Sequence, residues 1–240
     1  MSAIHRLMPS ENLIYLADTQ HTPYGIRSNA FIEDRVDAIA KFLMTQNVKL
    51  IVVACNTATA AAINSLRSQY DIPIVGLEPA IKPAIESSQK KVIGVLATRA
   101  TLESEKYRLL RSRFEDQATI IEKASSYFVE LVESAPIIDE KALQKIRLEL
   151  QPFIDAGIDS LVLGCTHFPF LTRAIYQILG PKVTLFESGM PVAKQVERQL
   201  AGQLNEATTP GWTRFYSSAP QVALPAFHRL INESVTVEPF

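Results

Sequence analysis

With 240 residues, 47% of them hydrophobic and 20% charged, and a net charge of −1, the chain has the makeup of a globular protein of one large or two small domains. Its lysines and arginines are dispersed rather than blocked, which gives no electrostatic footprint for nucleic acid or an anionic membrane and favours small-molecule chemistry. No apolar stretch approaches the roughly 20 residues that cross a bilayer, and residues 1–9 lack the apolar centre of a signal peptide, so a cytoplasmic location is expected.

Residues 12–17 read as a strand, followed by a loop around Pro23-Tyr24-Gly25 and a helix over 28–45 carrying apolar Phe31, Val36, Ile39, Phe42 and Leu43. The β-branched run 50–54 reads as a strand buried on both faces, and alanine-rich 57–70 as a helix. A strand at 74–77, a helix from Ala80, a strand at 91–96, the segment 102–114 and a strand at 119–121 continue the alternation. A helix-rich stretch over 127–156 leads to a strand at 160–163, a helix at 171–179 and a strand at 183–186. After the break at 208–211 come a strand at 213–216 and a helix at 221–231. This order predicts an α/β fold of mostly parallel sheets flanked by helices.

The chain has two cysteines, and each closes an apolar run that opens into a threonine-bearing loop: Val53-Ala-Cys55-Asn56-Thr57 and Leu163-Gly-Cys165-Thr166-His167. They stand nearly half the chain apart, which suggests two similar, pseudo-symmetric lobes whose cleft presents one thiol from each wall. Both cysteines follow strands, and ligands of open parallel sheets bind outside the carboxyl ends of the strands. In a reducing compartment the two are expected as free thiols.

A thiol can serve as acid or base once its neighbours tune it, so a facing pair suits proton removal from one side of a carbon and return from the other. Asn56, Thr57 and Thr166 supply hydrogen bonds suited to a carboxylate or ammonium group, and helices following each cysteine would favour an anion and a thiolate. Against this stand simple packing, since free cysteine is often buried, and zinc, for which Cys165-x-His167 could give two ligands. With two cysteines and four histidines, and no Cys-x-x-Cys or His-x-x-x-His pair, metal binding and disulfide exchange both fit poorly.

The blocks Val53-Ala-Cys-Asn-Thr-Ala58 and Leu163-Gly-Cys-Thr-His-Phe-Pro169 resemble the two signatures of the cofactor-independent glutamate racemases of the aspartate/glutamate racemase superfamily. Residues 12–19, Pro23-Tyr-Gly25, 97–102, 131–133 and Glu187-Ser-Gly189 follow in the family's order, so the resemblance covers nearly the whole chain. It implies interconversion of L- and D-glutamate without cofactor or metal, Cys55 acting on D-glutamate and Cys165, assisted by His167, on L-glutamate. It further implies that Tyr24, Gly25, Asn56, Thr57, Thr98 and Thr166 hold the substrate's charged ends. Asp18 and Glu133 match supporting acidic positions; read from the sequence alone, they are a strand-end cap and a solvated helix face. The implied lobes are 1–79 with 190–240, and 80–189, with the active site in the cleft between them. The implied role is supply of D-glutamate for peptidoglycan, in a chain that can form a homodimer.

The resemblance breaks at the front, where family members carry Asp-Ser-Gly-x-Gly-Gly on a first strand, with the Asp beside the first cysteine. Residues 1–9 align instead with the helix that follows those glycines. Two expectations result: Met1 is an internal methionine of a longer racemase, or the chain lacks the first strand of lobe one, Cys55 lacks its partner, and activity is impaired. Other readings are a non-catalytic relative that binds an amino acid or a protein partner, as some members bind DNA gyrase, and a racemase for aspartate or another small amino acid.

Overall fold

Short β-branched runs flanked by helix-capping residues set the element order. In the computed structural model, which describes residues 1–134, 138–231 and 234–240, the chain begins with helix α1 (Ser2–Leu7), strand β1 (Leu13–Ala17) and helix α2 (Asn29–Thr45). Then come β2 (Ile51–Val53), α3 (Asn56–Gln69), β3 (Ile74–Gly76), α4 (Ile81–Ser87) and β4 (Val92–Ala97). Next are α5 (Arg99–Glu103), α6 (Glu105–Ser112), β5 (Thr119–Ala124), α7 (Tyr127–Ser134), α8 (Glu140–Asp155) and β6 (Ser160–Gly164). The last third holds α9 (Thr172–Leu179), β7 (Thr184–Phe186), α10 (Gly189–Gln199), β8 (Thr213–Ser217), α11 (Pro220–Ile231) and β9 (Val237–Pro239). Residues 135–137, within the expected helical stretch 127–156, lie outside the described residues.

Among the described residues every strand pairing is parallel, as alternating strands and helices require. The chain divides into two units, one of Met1–Ala54, Ala61–Leu77 and Gly189–Phe240, the other of Cys55–Ala60 and Glu78–Ser188. In the first, β1, β8 and β9 form one sheet and β2 with β3 another. Among the described residues no strand joins β1 to β2, so a single first-lobe sheet does not form. The β2–β3 pair packs through Val75 and Val52 against Met8, Val196, Leu200, Ile4 and Leu7. Phe215, Ala223 and Phe227 make a second apolar cluster, in which Phe227 meets the Tyr15 ring edge-on.

The second unit is built on one sheet in the order β5-β4-β6-β7. Its central strands are buried along their length, β6 completely, which explains their unbroken apolar sequences. Ile93, Val95 and Val162 pack with Ile81, Ala84, Ile85 and Tyr107 on one side. Gly164 lets the end of β6 lie close to β4, because a Cβ there would sit 2.9 Å from the Ala97 Cβ and 3.2 Å from the Leu96 carbonyl oxygen. The next residue is Cys165.

Candidate active site

Cys55 stands two residues beyond β2, and Cys165 immediately follows β6, so both thiols sit at carboxyl ends of parallel strands. Both are free and partly buried. Residues 55–60 fall with the second unit, so Cys55, Asn56, Thr57, Thr98, Glu133, Cys165, Thr166 and His167 all belong to it. Asp18, Tyr24 and Gly25 belong to the first unit.

Cys55 occupies the capping position of α3: its carbonyl accepts the Thr59 N–H at 2.8 Å, and its sulfur accepts the Ala58 N–H at 3.5 Å. A helix start favours negative charge, and the sequence leads one to expect a thiolate there. The structure reverses that expectation. Burial pushes the Cys55 thiol up to about 11, with the N–H groups of Ala58 and Thr57 giving partial relief and neighbouring Cys165 adding to the rise. Cys55 is therefore held as a neutral thiol.

Cys165 has different company. Its sulfur lies 3.7 Å from His167 Nδ1, and His167 Nε2 lies 2.6 Å from Glu133 Oε1. Burial alone would lower the His167 pKa, but the bonds to Cys165 and Glu133 outweigh it and carry the ring up to about 10. His167 is thus an imidazolium at neutral pH, oriented by the carboxylate behind it. Glu133 is half-exposed on α7, yet it is tied to the ring rather than merely solvated.

The polar groups gather in the same unit. Thr57, buried in the first turn of α3, places its hydroxyl 3.0 Å from that of Thr98 and 3.2 Å from that of Thr101; Thr98 and Thr101 are 2.9 Å apart. Thr98 caps α5 and accepts the Thr101 N–H. Thr101 was not singled out in the sequence, although Thr98-x-x-Thr101 has the spacing of a cap and its third helical residue. Asn56 is 5% exposed, and its Oδ1 has no hydrogen-bond partner among the described residues. A buried acceptor left so costs about 1–3 kcal/mol, which a ligand donor would recover. Thr166 is exposed beside Cys165.

In the first unit Asp18 follows β1 and is buried, with Arg35, Tyr24 and His21 all bonded to its carboxylate. Burial would raise its pKa, but these bonds and that of Ser218 hold it down at about 2. It is more than a strand-end cap. Arg35 and His21 are further residues that the sequence did not single out, since nothing local in α2 marks Arg35 as the partner of a carboxylate 17 positions earlier.

The sequence matches the Asp/Glu/Hydantoin racemase family over residues 1–196. The chain belongs to this family. It is 40% identical over 237 residues to a glutamate racemase of Methylococcus capsulatus, an alignment covering 95% of this chain and 88% of the relative. The fold matches the Escherichia coli glutamate racemase in complex with L-glutamate and the activator UDP-MurNAc-Ala with a TM-score of 0.88 at 32% identity, covering 99% of this chain and 91% of that one. A glutamate racemase isoform from Bacillus anthracis matches with a TM-score of 0.90 at 29% identity, covering 100% and 91%. The expected family and the parallel α/β architecture are both borne out.

Proposed function

We propose that the chain interconverts L- and D-glutamate by two-thiol acid/base chemistry, without a cofactor. The observation that carries this reading is the inequality of the two cysteines. One is a neutral, partly buried thiol suited to giving a proton, and the other stands against an imidazolium–carboxylate pair suited to supporting negative charge on sulfur. In the L-to-D direction Cys165 removes the α-hydrogen and Cys55 returns a proton from the other face; the reverse reaction exchanges the roles. Each turnover leaves the cysteines in swapped protonation states, so a proton must redistribute before the next substrate of the same hand.

The remaining residues hold the amino acid. The orphaned Asn56 Oδ1 is an acceptor for the ammonium group, and the hydroxyls of Thr57, Thr98 and Thr166 are donors for carboxylate oxygens. With its hydroxyl bonded to Asp18, Tyr24 would meet a ligand through its main chain and that of Gly25. The D-glutamate produced fits the supply of peptidoglycan precursors implied by the resemblance. Lobes at 1–79 with 190–240 and at 80–189, a cytoplasmic location and a homodimer complete the proposal. Circular dichroism of glutamate solutions tests the substrate: the protein should bring L- and D-glutamate to the same racemic end point and turn over aspartate at least 100-fold more slowly. Faster turnover of aspartate would reassign the substrate.

A further inference from the structure

A polar cluster in the first unit gathers around Asp18, whose side chain is 3% exposed. Arg35 Nε donates to Asp18 Oδ2 at 3.0 Å and Arg35 Nη2 to Asp18 Oδ1 at 2.9 Å, a two-pronged pair that fixes the plane of the carboxylate. The Tyr24 hydroxyl donates to Oδ2 at 2.6 Å, and His21 Nδ1 lies 2.8 Å from Oδ1. The Asp18 carbonyl oxygen also accepts the N–H groups of His21 and Thr22. One aspartate thus organises the turn that leads into Tyr24 and Gly25. Arg35 reaches it from the middle of α2, with its guanidinium 5.8 Å from the Phe240 ring centroid.

A buried ion pair is a weak source of stability, because apolar side chains of similar volume do as well or better. Its distinctive gain is geometric: two prongs forbid rotation of the carboxylate, and a fixed carboxylate pins the tyrosine ring. We propose that Arg35 is a positioning residue which, through Asp18, sets the Tyr24–Gly25 turn in the shape that receives a carboxylate of an α-amino dicarboxylic acid. The proposal rests on the reading that Tyr24 and Gly25 face the substrate. Lysine cannot replace Arg35, since an ammonium is a point charge without the planar fork.

The test is steady-state racemisation of glutamate, with calorimetric binding of D-glutamate and thermal unfolding, on the full chain and on Arg35→Ala, Arg35→Lys and Tyr24→Phe. Arg35→Ala should raise KM at least tenfold while kcat falls no more than about threefold, and Arg35→Lys should not restore it. Millimolar guanidinium should lower the KM of Arg35→Ala severalfold and leave the unsubstituted protein unchanged, a rescue that lost stability alone would not give. Tyr24→Phe keeps the ion pair and, should Arg35→Ala not fold, decides alone through a KM raised about threefold or more. Unchanged KM in the folded variants, with normal binding by the unsubstituted chain, overturns the positioning role alone. An unsubstituted chain that neither binds nor racemises glutamate overturns the functional reading, and this proposal with it.

Discussion

His167 and Asp18 are ionised groups whose pKa values move in opposite directions, and each leaves a signature in stability against pH. The His167 pKa is raised from 6.5 to about 10, so its contribution to folding is complete below about pH 6.5 and lost as pH rises through 10. The Asp18 pKa is lowered from 3.8 to about 2, so its contribution is present above about pH 3.8 and lost as pH falls through 2. With its side chain 3% exposed, the Asp18 shift corresponds to about 2 kcal/mol. Denaturant unfolding from pH 3 to 10.5 should therefore show a plateau with a fall at each end. Glu133→Gln should move the alkaline fall to lower pH and leave the acid fall in place. An alkaline fall unmoved by that substitution would contradict the role given to Glu133.

At the scale of elements, one tight fit is where the end of β6 meets β4. Gly164→Ala would drive a methyl into the Ala97 side chain and the Leu96 carbonyl, and buried main chain cannot retreat as the end of a flexible side chain would. A loss of about 1–3 kcal/mol is expected, with activity reduced because Cys165 is the next residue. Thermal unfolding and racemisation rates measured together would check this; full stability with full activity would contradict it. The strands were legible because β4 and β6 are apolar on both faces and β2 is β-branched. Helix α2 was legible because Ser28 caps it and its apolar residues recur at helical spacing. The segment 102–114 was harder, since Ser104 both ends α5 and caps α6, a break that periodicity does not show. Helix α10 went unread because Gly189 and Pro191 in its first turn imitate a loop, although Ala193 and Val196 bury a face. Strand β9 spans only three residues, and its parallel register with β8 is set by tertiary pairing.

For the molecule as a whole, the two cysteine blocks carried the family, because each combines a strand end, a thiol and a polar loop in consecutive residues. Their inequality was legible only in part, since His167 adjoins Cys165 and no such group adjoins Cys55; its physical cause was not. It depends on burial at Cys55, and on a carboxylate that reaches His167 from 34 residues away. The Asp18–Arg35 pair, joining a strand end to the middle of a helix, was hidden for the same reason. The central claim is that two thiols act from opposite sides of one carbon, and exchange of the glutamate α-hydrogen with solvent in deuterated water tests it most directly. The account predicts deuterium at the α-carbon from either enantiomer, with racemisation lowered at least 1,000-fold in both Cys55→Ala and Cys165→Ala, of the order expected when an essential acid or base is removed. Racemisation that persists unchanged in either variant would contradict it.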